Sequence, residues 1–177
     1  MIDFWHTHFE LFGLPQRFRV ETDALDRAYH ALQSEVHPDR FAAAGESAQR
    51  RALQSSARVN EAYRALRDPV ARAQYLLSLR GIDAFAETDT TLPVDFLERQ
   101  LERREQAGDA AVARDVAALD AILADVRRES SQLEQQIEVL LDTEASWHVA
   151  RTRVRELKFL QKFAADIDVM LGKFEDG

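Results

Sequence analysis

Apolar side chains recur every three or four residues along most of the chain, which is the spacing of one face of an α-helix. In residues 22–36, for example, Leu25, Ala28, Leu32 and Val36 fall on a single stripe. Short runs of alternating β-branched residues, which would indicate strands, do not occur in the sequence. The pattern therefore predicts an all-α protein.

The first half of the pattern predicts a helical hairpin with short flanking helices. Pro38 disfavours helical geometry at His37, so the second helix is expected to end there. Asp68 followed by Pro69 is typical of a helix cap and a first helical residue. The four predicted helices cover 4–12, 22–37, 47–67 and 69–80.

The second half predicts a three-helix bundle over residues 93–177. A short helix is expected from Pro93 to about Gly108, followed by a long one in which apolar residues from 112 to 140 repeat every three or four positions. The last helix is predicted over 144–174. A heptad-spaced stripe requires helical partners, and the short connections favour antiparallel neighbours.

Between the halves, residues 83–92 lack a helical face and are rich in Thr and Asp. We therefore predict a domain over 1–82, a linker over 83–92 and a second domain over 93–177. Residues 1–82 contain 11 Lys and Arg against 10 Asp and Glu, whereas residues 83–177 contain 12 against 21. A uniformly acidic second half argues against nucleic acid as a partner, and the asymmetry suggests two modules that bind different partners.

The composition narrows the chemistry further. With no cysteine, the chain has no disulfide, no thiolate metal site and no cysteine nucleophile. No apolar run approaches the roughly 18 residues that would span a bilayer, and the first residues lack the pattern of a signal peptide. We expect a cytoplasmic protein that binds neither a membrane, a metal nor a cofactor.

One short motif, His37-Pro38-Asp39 in ALQSEVHPDRFAAAG, admits three interpretations. It could be a capped turn, since Pro and Asp are common turn residues. It could hold a general base, His37, oriented by Asp39, but no glycine-rich nest or nucleophilic serine stands nearby to complete an enzyme site. It could also be a rigid corner that presents an imidazole and a carboxylate to another protein.

The context of this corner resembles the J-domain of DnaJ-type co-chaperones, which stimulate the ATPase of DnaK-type chaperones. The tripeptide follows one helix and precedes another that contains VNEAYRALRDPVARAQY. Together, FELFGLP, HPDRF, RDPVARAQYLLSLRG, FLERQLERRE and VRELKFL are similar to the HscB family, the J-type co-chaperones of iron–sulfur cluster assembly. The resemblance extends over nearly the whole chain.

The resemblance implies that the chain is not an enzyme but activates the ATPase of a DnaK-like chaperone, HscA. In this interpretation His37, Pro38, Asp39, Arg40 and Arg27 contact the ATPase. The Asp39 carboxylate would accept a charge-assisted hydrogen bond from an arginine of the partner. The alternatives are a J-protein that serves a different client and a helical interaction protein.

The resemblance also implies that the second domain binds the iron–sulfur scaffold protein IscU and delivers it to HscA. The residues that match the family's binding motif are Leu97, Leu101, Glu102, Glu105 and Phe159. From the residues alone, Leu97, Leu101 and Phe159 could equally well pack against one another. An apolar pair ringed by carboxylates would form a small binding hot spot with a charged rim.

Overall fold

The computed structural model describes residues 5–41, 45–86 and 91–175, and every regular element in these ranges is helical, as predicted. The chain forms two compact units, residues 1–79 and 80–177. None of the helices in the described ranges has the length and hydropathy of a membrane span. The helices are α1 (His8–Leu11), α2 (Thr22–Val36), α3 (Glu46–Arg67), α4 (Pro69–Ser78), α5 (Val94–Ala113), α6 (Val116–Glu138) and α7 (Trp147–Glu175).

The first unit contains α1 to α4, with α2 and α3 paired as the predicted hairpin. Thr7 caps α1, and Asp68 caps α4 by accepting the backbone N–H of Ala71 at 2.7 Å. Pro69 occupies the first turn of α4, as the sequence predicts. The largest side chains buried in this unit are Phe9, Phe12, Phe18, Leu25, Leu66, Leu76 and Leu77.

The second unit is a bundle of α5, α6 and α7. The predicted stripe of α6 is buried from Leu119 to Ile137. A π-helical turn, Val139–Thr143, then buries Leu141 in place of the predicted Leu140, which is half-buried. The stripe of α7 is buried at Ala150, Val154, Leu157, Leu160 and Ile167.

The predicted end of the first bundle helix is wrong. α5 continues through Gly108 and Asp109 to Ala113, and Asp115 caps α6 by accepting the backbone N–H of Ala118. Glycine costs only about 1 kcal/mol in a helix, and the burial of Ala107 and Ala110 offsets that cost. Val112, predicted to lie on the buried stripe of the next helix, is therefore a residue of α5 and is 89% exposed.

The predicted linker, residues 83–92, is described only in part, because 87–90 lie outside the described residues. Arg155 of α7 donates from Nε to the Ala84 carbonyl oxygen at 2.6 Å and from Nη1 to the Thr91 carbonyl oxygen at 3.4 Å. Both described flanks of the segment are thus hydrogen-bonded to the same α7 side chain. The domain limits 1–82, 83–92 and 93–177 stay a prediction.

Candidate functional sites

The corner after α2 exposes a carboxylate on a short, stiff turn. His37 has the extended backbone (φ −59°, ψ 128°) that a following proline favours, and Pro38–Phe41 form a 3₁₀ turn. The backbone N–H of Asp39 donates to Nδ1 of His37 at 3.4 Å, so the imidazole supports the turn. The Asp39 side chain is 90% exposed, and one of its oxygens lies 3.6 Å from the same nitrogen.

Arg40 braces this corner against α2. Its Nη1 donates to the carbonyl oxygen of Ser34 at 3.1 Å, and its backbone N–H donates to the carbonyl of His37 at 3.1 Å. The last carbonyls of a helix have no partner within the helix, and a cation is favourable beside them. The structure thus gives Arg40 an intramolecular contact that the sequence interpretation did not include.

Arg27 lies on the same face of α2 as Ser34, because a step of seven residues is close to two helical turns. It is exposed, as are His37, Asp39 and Arg40. Pro38 is half-buried. The structure therefore places the five residues predicted to contact an ATPase along one exposed face and the corner at its end.

A polar ladder between α2 and α3 holds the hairpin behind the corner. Asn60 Oδ1 accepts from the Tyr29 hydroxyl at 3.0 Å and from Gln33 Nε2 at 2.9 Å, and Ser56 Oγ donates to Gln33 Oε1 at 3.2 Å. The Tyr29 ring stacks on Tyr63 at 4.1 Å between centroids. In the sequence, the only sign of this ladder is that its polar residues are spaced three or four positions apart on each helix.

An ionic contact links α2 and α3 at the other end of this hairpin. Asp26 accepts from the Tyr63 hydroxyl at 3.0 Å and from Arg67 Nη1 at 2.8 Å. The hydrogen bond to Asp26 raises the pKa of Tyr63. Because α2 and α3 are linked by polar contacts over their length, the corner extends from a rigid support.

His8 in α1 is a buried titratable group that the sequence analysis did not single out. Its ring stacks on Tyr75 with 4.0 Å between centroids, and 5% of the residue is exposed. Burial, with a smaller contribution from the nearby Arg58, lowers the pKa of His8 to about 4, while Glu61 acts in the opposite direction. Among the described residues, no group of three His, Asp or Glu side chains is placed to hold a metal ion.

The two leucines predicted to bind a client lie outside the bundle core. Leu97 is 42% exposed and Leu101 is 61% exposed, one helical turn apart on α5. The face of α5 that packs into the bundle contains Phe96 and Gln100, which are 2% and 1% exposed. Glu102 and Glu105 are exposed beside the leucines, so α5 presents an apolar strip flanked by carboxylates.

Phe159 of α7 is half-buried and reaches α5 through a different neighbour. Its ring meets Phe96 edge-on with 5.6 Å between centroids, and the guanidinium of Arg104 lies 5.2 Å from its centroid. Arg104 also pairs with Asp166 at 3.5 Å. The structure thus leaves part of the Phe159 ring at the surface and supports it from α5.

A partly buried ionic pair connects α5 to the bundle, and a second pair lies within α7. Arg103 of α5 pairs with Glu129 of α6 and donates to Gln100 Oε1 at 3.4 Å. On α7, Glu156 is 1% exposed and accepts from Arg153 at 2.6 and 2.9 Å. The Arg103–Glu129 pair therefore helps to hold α5 against α6, whereas the Arg153–Glu156 pair lies within α7.

Two family models match the chain, one in each compact unit. The DnaJ domain matches residues 7–75, and the HSCB C-terminal oligomerisation domain matches residues 92–168. The first range includes the whole corner, and the second includes α5, α6 and most of α7.

Several curated relatives match over the full length. The chain is 47% identical over 175 residues to the co-chaperone protein HscB homolog of Burkholderia multivorans, with 99% of each chain covered. It is 46% identical over 175 residues to the homolog of Burkholderia cenocepacia, again with 99% of each covered.

Solved structures show the same architecture. The chaperone HscB from Vibrio cholerae superposes with a TM-score of 0.85 at 34% identity, with 96% of this chain and 99% of that chain covered. Human co-chaperone protein HscB shares the fold with a TM-score of 0.85 at 24% identity, covering 95% of this chain and 83% of the human one. Sequence, family models and fold agree, and the chain belongs to the HscB family of J-domain co-chaperones.

Proposed function

We propose that this chain binds the iron–sulfur scaffold protein IscU and delivers it to the DnaK-like chaperone HscA, whose ATPase it stimulates. In this proposal the chain acts in the cytoplasm and catalyses no reaction itself. The observation that carries the proposal is the Asp39 carboxylate, 90% exposed on a proline-stiffened turn in a co-chaperone of this family.

The corner suits the recognition of an arginine. A carboxylate binds a guanidinium through charge-assisted and often bidentate hydrogen bonds, which are about twice as strong as neutral ones. The turn holds Asp39 by its backbone, so little conformational entropy is lost when a partner binds. Arg27, Arg40 and His37 would add positive or titratable groups that contact acids of the ATPase.

The first prediction concerns Asp39. Asp39→Asn keeps the shape of the side chain but removes its charge, and we expect stimulation of HscA ATP turnover to fall at least about tenfold. ATP hydrolysis measured with HscA and saturating IscU tests this. Asp23→Asn, an exposed acid at the opposite end of α2, is the matched control and should stimulate normally. Full stimulation by Asp39→Asn would reject the proposed role of the corner.

The client face is the second part of the proposal. Leu97 and Leu101 would insert into an apolar patch of IscU, Phe159 would extend the contact from α7, and Glu102 and Glu105 would face basic residues of the client. Exposed leucines on a firmly held helix are suited to binding, since their apolar surface gains most when a partner covers it.

The second prediction tests this face. Replacing Leu97 and Leu101 together by alanine should weaken IscU binding at least about tenfold, because hot-spot side chains contribute more than 1 kcal/mol each. The thermal midpoint should hardly change, since both side chains are exposed. Val169→Ala, an exposed apolar residue of α7, is the matched control for calorimetry. If the unaltered chain, the leucine double variant and Val169→Ala all bind IscU with equal affinity, the result would favour a J-protein with a different client, or a helical interaction protein.

A further inference from the structure

The second unit contains a cleft beside α7 that the proposed client face does not account for. Its volume is about 290 Å³. Phe85, Leu92 and Phe159 form its apolar surfaces, and the side chains of Lys158 and Lys162 stand at its rim. An apolar depression with a few charged groups is typical of a site that takes up one side chain of a partner.

The rim is cationic in a strongly acidic part of the chain. Lys158 and Lys162 are exposed and lie one helical turn apart on α7. The Lys158 ammonium lies 3.7 Å from the centroid of the Phe85 ring. Within the described residues, neither lysine has a carboxylate oxygen within 4.0 Å. Two exposed lysines on one face, neither paired with a carboxylate of the described residues, form a site complementary to negative charge.

Arg155, the third cation lining the cleft, has a structural role. Its hydrogen bonds to the carbonyls of Ala84 and Thr91 hold the two flanks of the cleft to α7. The cleft is thus a fixed surface, whereas the two lysines are long and exposed and can adjust to a ligand.

We propose that this cleft binds an acidic segment of the client protein, in which a carboxylate stands beside an apolar side chain. The apolar side chain would contact Phe85, Leu92 and Phe159, and the carboxylate would bridge Lys158 and Lys162. The inference rests on the proposed function, because Phe159 belongs to both the client face and the cleft. The continuity of the two surfaces and the sign of the charge support this occupant.

The cleft gives the client face two ends of opposite charge. On the α5 side the apolar strip is flanked by Glu102 and Glu105, and on the α7 side by Lys158 and Lys162. A partner therefore has one favourable orientation, with basic residues toward α5 and acidic residues toward α7. The reversed orientation would place like charges together, which is the usual means of fixing register at an interface.

The test is calorimetry of the full chain with purified IscU as the probe. We expect Lys158→Glu with Lys162→Glu to weaken binding at least tenfold, and the corresponding glutamine pair to weaken it less. The chain has three lysines, all in α7, so Lys173→Glu is a matched charge reversal away from the cleft and should bind normally. If Lys173→Glu loses as much affinity for IscU as the glutamate pair does, the loss would come from overall charge. That result would overturn the proposed binding site.

A spectroscopic experiment locates the contact directly. Reductive methylation with ¹³C-formaldehyde labels the three lysines and retains their charge. Addition of IscU should shift the NMR signals of Lys158 and Lys162 and leave that of Lys173 in place. Unshifted signals for Lys158 and Lys162 in a complex that forms would overturn the proposal.

The outcomes separate this inference from the proposed function. If the Leu97 and Leu101 alanine pair loses affinity but the lysine pair does not, the client face stands and the cleft is rejected. If neither pair loses affinity, the proposed client fails as well. The chain's own Glu87 and Asp89, which lie outside the described residues, are a competing occupant. An effect of the lysine pair that disappears in Glu87→Gln with Asp89→Asn would assign the cleft to them and overturn the proposal.

Discussion

Asp39 and Arg40 are neighbours in the sequence but have different environments in the structure. The Asp39 side chain points to solvent, while the Arg40 guanidinium contacts the last turn of α2 through the Ser34 carbonyl. A pattern of residue types cannot separate these roles, since both residues are charged and both stand in a turn. The contact becomes visible only when the path of the backbone after Pro38 is known.

His8 gives a third prediction, on the pH dependence of stability. The unfolded chain binds a proton at His8 near pH 6.5, whereas the folded chain does so only near pH 4. The unfolded state therefore holds more protons between these values, and the free energy of unfolding should fall as the pH drops. Between pH 7 and pH 5 the loss from His8 should be on the order of 2 kcal/mol.

Urea unfolding followed by circular dichroism at pH 7 and pH 5 tests this prediction. His8→Phe retains a ring against Tyr75 but cannot titrate, so its free energy of unfolding should change less with pH than that of the unaltered chain. The same pH dependence in both proteins would assign the effect to other groups.

At the scale of elements, apolar spacing predicts well where one period dominates. The apolar stripe from Leu119 to Ile137 is buried as expected, because heptad spacing in a bundle allows a single buried face. The end of α5 was wrongly predicted because Gly108 and Asp109 locally favour a break. The burial of Ala107 and Ala110 depends on tertiary contacts that local rules do not include.

The fourth prediction uses two glycines of the second unit. Gly108 lies within α5, and an added Cβ would meet no atom within 4 Å, so Gly108→Ala should raise the free energy of unfolding by about 0.5–1 kcal/mol. Gly81 has equal space but a φ of +74°, which costs alanine roughly 1–2 kcal/mol. In urea denaturation, the free energy of unfolding should therefore rise for Gly108→Ala and fall for Gly81→Ala. Stabilisation at both positions would contradict the assigned backbone of Gly81.

At the scale of the whole molecule, sequence and structure agree on two modules of different composition. The compact units, 1–79 and 80–177, contain the corner and the client face respectively. The position of the corner could be predicted because one proline fixes the local backbone. The cleft could not be predicted, since Lys158 is far in sequence from Phe85 and Leu92 and no helical period relates it to them.

The fifth prediction follows from this separation. A chain with Asp39→Asn should still bind IscU but fail to activate HscA. In excess over the unaltered protein, with IscU limiting, it should lower the ATP turnover of HscA. A triple variant that combines Asp39→Asn with Leu97→Ala and Leu101→Ala should not compete for IscU and should leave the ATP turnover unchanged. Equal inhibition by both would show that the two sites are not independent.

The confinement of all three lysines to α7 also affects how the protein can be handled. Amine-reactive esters used for biotinylation, dye labelling or attachment to a sensor chip would react there, apart from the terminal amine. Two of the three attachment points stand at the cleft. If the cleft binds the scaffold as proposed, a chip prepared in this way would under-report that partner. Attachment through an introduced cysteine at the exposed Val139, which does not line the cleft, would avoid this effect.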